Sequence, residues 1–131
     1  MKLEQQVTSK DLSMRLKKLG VKQESLFFYS GIGIKRTAMI LLSSEYRQTE
    51  PFICSAFTVA ELGEVLSPCS RYYCEYNNGE WQAVEDCGYD TYPVTKDNKL
   101  LGEQIASSTE ADTRAKLLIH LIEEKIINLE E

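Results

Sequence analysis

Apolar positions recur along this chain with two periods, and the places where the period changes divide it into elements. The strongest pattern runs from Thr109 to about Asn128, TEADTRAKLLIHLIEEKIIN. At ~100° per residue, Ala111, Ala115, Leu118, Ile122, Ile126 and Leu129 fall on one narrow stripe, flanked by Ile119 and Leu121. Glu110, Asp112, Lys116, His120, Glu123 and Glu124 occupy the other face. Thr109 is placed as N-cap, with Asp112 three residues on to complete a capping box. So apolar a stripe needs cover, and the rest of the chain must supply it.

Two further helices are written in the same grammar. In the first, Thr8 is the expected N-cap, Asp11 its box partner, and Val7 staples onto Leu12. Leu12, Leu16 and Leu19 form its buried stripe, and Gly20 supplies the left-handed stop with Val21 against Leu16. In the second, Thr58 caps, Glu61 answers it, and Leu66 followed by Pro68 ends the run.

Between the helices the pattern shortens to that of strands. Ser25 to Tyr29 and Thr37 to Leu42 read as two antiparallel strands around Gly31 and Gly33. Periodicity alone does not separate this reading of Thr37 to Leu42 from a short buried helix at this length. Residues 43–56 are a polar connector holding Pro51. Arg71–Tyr76 and Glu80–Val84 form a hairpin about Asn78-Gly79, the pair favoured where both central positions need positive φ. That register sets Tyr76 opposite Trp81, Cys74 opposite Ala83, and Tyr73 opposite Val84. The Trp81 set is the larger and is expected against the helices, leaving Tyr73 outward beside Arg71 and Glu75. Residues 86–108 read as a long loop with a short edge strand near Tyr92-Pro-Val94. The elements predict a single α+β domain spanning 1–131, in the order αββαββα. A mainly antiparallel four-stranded sheet carries three helices on one face.

Composition narrows the function classes. The length and 43% hydrophobic content suit one globular core. No apolar run approaches a membrane span, and the start lacks an apolar leader, so a cytoplasmic protein is expected. Net charge is −5, unevenly spread: residues 1–36 hold eight bases and three acids, the remainder seven bases and seventeen acids. The acidic bulk opposes long-range attraction to nucleic acid, whereas the basic start favours it locally.

The blocks TSKDLSMRLKKLGVKQESLF (8–27), AFTVAELGEVL (56–66) and EADTRAKLLIHLIEEKII (110–127) resemble short single-domain proteins of bacterial phages, prophages and other mobile elements. The resemblance implies a genomic setting and this order of segments. It implies no activity, cofactor or catalytic residue.

Four chemistries are open to these residues. Cys54, Cys69, Cys74 and Cys87 are spaced by 15, 5 and 13 residues with no CxxC pair. They read as small core side chains rather than zinc ligands, and neither metal nor cofactor is expected. His120 lies mid-way along the polar helical face without a nucleophile motif, so no enzyme is expected. Residues 8–29 have the outline of a helix-turn-helix about Gly20, in which Lys17, Lys18, Lys22 and Gln23 would meet DNA. Against it, Leu16 occupies a position that should be small, and Phe27-Phe28-Tyr29 prefers a strand. The favoured expectation is a non-enzymatic protein-interaction module, self-associating or with another protein, whose aromatic residues supply anchors. Tyr73 and Leu117 are its candidate contact residues, Leu117 because it falls at ~240° from Ala111, off the buried stripe.

Overall fold

A computed structural model of the chain describes residues 2–31, 38–95 and 104–129. The chain opens with a single helical turn, α1 (Leu3–Gln6), and then α2 (Lys10–Lys18). Ser9, not Thr8, is the N-cap of α2. The hydroxyl of Thr8 is engaged elsewhere, sharing a hydrogen bond with Ser13 Oγ and accepting the Phe57 N–H at 3.1 Å. The helix ends as its sequence dictates. Gly20 takes φ 96°, and the Val21 N–H donates back to the Leu16 carbonyl at 3.1 Å.

β1 (Phe27–Gly31) and β2 (Ala38–Leu42) pair antiparallel, Tyr29 opposite Ile40, which settles the second run as strand. Ser30 and Gly31, expected to open the turn, instead extend β1, and the rest of the expected turn lies outside the described residues. After a helical turn, α3 (Ser43–Tyr46), comes β3 (Cys54–Ala56), which pairs with the other side of β1. This strand corrects the expectation of an unstructured connector. Three small residues are too few to display an alternation, and all three are buried, so their pattern carries no period. With β1 flanked on both sides, the first sheet runs in the order β2-β1-β3 among the described residues.

α4 (Val59–Leu66) carries the expected reciprocal cap. The Glu61 N–H donates to Thr58 Oγ1 at 3.2 Å and the Thr58 N–H to Glu61 Oε1 at 2.9 Å. A 3₁₀ turn over Ser67–Cys69 leads into β4 (Tyr72–Asn77) and β5 (Glu80–Asp86). Asn78 and Gly79 take φ 53° and 84°, and the pairs Tyr73–Val84, Cys74–Ala83 and Tyr76–Trp81 stand in the expected register. β6 (Thr91–Pro93) and β7 (Ala106–Ser107) both pair with β5 before α5 (Glu110–Glu123) closes the chain. The architecture is α+β, and its strands form two antiparallel sheets instead of the single four-stranded one expected.

α5 contacts α2, α4, β4, β5 and β7. Surrounded on several sides, it buries a wider arc than one stripe, and Leu117, Leu118 and Leu121 are all fully buried. The expectation that Leu117 faces outward is therefore corrected. The helix also stops sooner than expected. Lys125 adopts φ 60° and the Ile126 N–H returns to the Leu121 carbonyl at 2.8 Å, so Ile126 lies beyond the last turn and is 45% exposed. Two apolar cores result, one under α5 and α4 about Leu16, Leu62 and Leu118, the other on the first sheet about Val7, Tyr29 and Cys54. Thr8 ties them together: its N–H donates to the Phe57 carbonyl and its own carbonyl accepts the Tyr29 hydroxyl at 2.6 Å.

Candidate interaction surface

β4 lies at one end of the second sheet, with β5 as its strand partner among the described residues. An antiparallel end strand presents alternate N–H and C=O groups along its outer edge. That edge borders a cleft of about 280 Å³ lined by Tyr72, Tyr73 and Cys74 from β4, by Gly63, Leu66, Ser67 and Ser70, and by Arg114 and Leu117. Side chains alternate between the faces of a strand. A cleft that meets three consecutive residues therefore meets the strand at its edge. The helical turn carrying Ser67 and Ser70 forms the opposite bank.

The sequence-derived contact residues meet here in unequal roles. Tyr73 is 38% exposed at the rim, whereas Leu117 is fully buried and, with Leu66, forms an apolar floor. Arg114 supplies the cleft's cation. Its Nε and Nη2 reach Glu110 Oε2 at 2.8 and 2.7 Å, a pairing one helical turn apart. Nη1 points at α4, where a Cβ on Gly63 would lie 2.8 Å from it. Gly63 thus makes room for the guanidinium. Arg114 and Gly63 were missed from sequence, although a glycine inside a helix, disfavoured against alanine by ~0.5–1 kcal/mol, is itself a sign of close packing.

Burial lifts the Cys74 thiol to about 12, an effect that the Arg114 charge opposes and Glu110 reinforces. A thiol of that acidity stays protonated near neutral pH.

The remaining sequence candidates are dispersed. Tyr76 stands edge-on to Trp81, with ring centres 5.5 Å apart. Ala83 of the same face is buried as expected, but Tyr76 is 62% exposed because it sits at the hairpin tip. Across the sheet, Val84 is buried although its neighbour Tyr73 is not. A second cleft, about 660 Å³, lies between Trp81, Gln5, Gln6 and the first turns of α4 and α5. His120 borders a third of about 370 Å³ with Arg15 and Glu123, which pair at 2.8 Å. Among the described residues no cluster of three or more His, Cys, Asp or Glu is placed to hold a metal. Cys54 is buried, Cys69 and Cys74 are partly so, and Cys87 is exposed.

The helix-turn-helix alternative is corrected by the fold. No helix follows Gly20 before β1, whose residues Phe27–Gly31 form the middle of a sheet. The residues assigned to DNA lie on α2 and the extended segment after it. Lys17 Nζ donates to the Ile53 carbonyl at 2.6 Å, and Lys22 pairs with Glu24 at 3.3 Å. Gln23 donates to the Val21 carbonyl at 2.9 Å and accepts the Ser55 N–H at 2.8 Å, while Lys18 is an exposed member of α2. No helix among the described residues is long and apolar enough to cross a membrane.

No family model, curated protein or solved structure matches this chain. Its class is defined by the fold itself: an α+β protein of two antiparallel sheets.

Proposed function

We propose that this protein is a non-enzymatic interaction module that takes a segment of a partner protein, in extended conformation, along the outer edge of β4. One observation carries the reading: an end strand, an apolar floor and an arginine converge on one cleft. Backbone pairing to β4 supplies affinity that is indifferent to sequence, and the cleft supplies selectivity. An apolar side chain of the segment rests over Leu66 and Leu117, and an acidic group approaches Arg114 from the side opposite Glu110. Tyr73 closes over the segment as a rim anchor. The sequence likeness to phage and mobile-element proteins adds a setting, in which the partner is another protein of the element or of its host.

A display library of short random peptides, selected against the purified protein, tests this. Enriched sequences should alternate apolar residues and include an acid, and their binding should be lost in Ser70→Trp, which fills the cleft from an exposed position. Lys18→Glu, on α2, should bind normally. Equal binding by the Ser70→Trp variant, or enrichment of basic peptides, would place the surface elsewhere.

A further inference from the structure

Among the described residues the two sheets have five outer strands, and four of them are guarded. β7 is two residues long, and Lys116 Nζ donates to its Ala106 carbonyl at 2.9 Å. β3 is covered by α2, with Lys17 reaching the carbonyl of the adjoining Ile53. β6 contains Pro93, which has no N–H to offer a neighbour. β4 carries Glu75 at mid-strand, where self-pairing about that residue would set carboxylates against each other. Among the described residues β2 has none of these protections. Its sequence, AMILL, holds no charge and no proline, and its pairing to β1 runs without a bulge from Phe27–Leu42 to Gly31–Ala38. Met39 is 49% exposed, and Ile40, Leu41 and Leu42 are only partly covered, whereas Phe28 and Ser30 on the adjacent strand are fully buried. An unguarded apolar end strand is a template for another strand.

We infer that β2 pairs antiparallel with β2 of a second copy, joining two three-stranded sheets into one of six strands about a twofold axis at Ile40. The symmetry selects this occupant. A perpendicular twofold keeps each residue on its own face, so Ile40 meets Ile40 and Met39 meets Leu41, with apolar groups opposite apolar groups throughout. Charged strands would meet their own charge in the same operation, and β2 has none to meet. A short strand pair covers less than the ~1,000 Å² of a stable interface. The dimer is therefore concentration-dependent, in exchange with monomer.

Sedimentation velocity over a concentration series on the full chain reads this directly. The wild-type protein should shift from monomer toward dimer as concentration rises, and Met39→Lys should remain monomeric while Met39→Leu follows the wild type. Hydrogen exchange on the wild-type protein gives a measurement independent of any variant: amides of residues 38–42 should gain protection with concentration, and those of β4 should not. A wild-type monomer at every concentration overturns the inference. So does a dimer whose protection falls on β4, or one that Ser70→Trp dissolves and Met39→Lys does not. Either of those last results would leave the β4 cleft as the self-association surface.

Discussion

Asp112, in the first turn of α5, accepts the backbone N–H of Ser9 at 2.7 Å across 103 residues of chain. Local grammar assigns this carboxylate to Thr109. Half of that assignment is present, because the Asp112 N–H donates to Thr109 Oγ1 at 3.2 Å. The carboxylate itself turns outward and secures the start of α2, joining the first and last long helices. Hydrogen bonds to a charged group contribute ~1.5–3 kcal/mol. Asp112→Ala should destabilise the protein by about that amount in urea unfolding, and Asp112→Asn, which keeps an acceptor, by less. Equal losses for the two substitutions would show that a neutral acceptor oxygen contributes nothing here without the charge.

Leu117→Ala and Leu118→Ala should each cost ~2–5 kcal/mol, since both side chains are fully buried on α5. His120→Ala, on the polar side of the same helix, should change stability by less than ~0.5 kcal/mol. A Leu117 change as mild as the histidine change would restore the outward placement that the helical wheel predicts.

Gly63→Ala tests how Arg114 is held. The added methyl would stand 2.8 Å from Nη1, the far end of a long side chain that can move aside. Alanine favours the helix by ~0.5–1 kcal/mol, so stability should be unchanged or slightly raised. Binding of acidic peptides selected on the β4 cleft should weaken, because the guanidinium is displaced. Lost stability with unchanged binding would make Gly63 a packing residue only.

Tyr29 gives the protein an alkaline limit. Its hydroxyl donates to the Thr8 carbonyl, and burial first, then the charges of Asp112, Cys54 and Glu4, push its pKa from 10.0 to about 12. The folded chain therefore keeps a proton that the unfolded chain releases once pH exceeds 10.0. This contribution is full below that pH and lost as pH rises toward about 12. Cys74 acts in the same direction from 9.0 upward. Urea midpoints measured against pH should fall across this range, and Tyr29→Phe should make the fall shallower. At neutral pH the same substitution costs ~0.5–1.5 kcal/mol, the lost hydrogen bond. Parallel curves for the two proteins would remove Tyr29 from the account.

The features legible along the chain are those that neighbours within a few residues decide. Thr58 and Glu61 lie three positions apart, Gly20 ends its own helix, and Asn78-Gly79 sets the register that brings Tyr76 to Trp81. Each depends on backbone geometry that those residues impose locally. Tertiary structure alone decided that Cys54–Ala56 is a strand and that the hairpins belong to separate sheets. It also decided that Leu117 is a floor beneath Tyr73, and that Thr8 and Asp112 bond across the fold as well as along it. A helical wheel treats one flank as the inside, whereas α5 is covered from several, so the angle of Leu117 could not reveal its burial. Contacts between residues far apart in the chain leave no period in it, and the candidate site is made of such contacts.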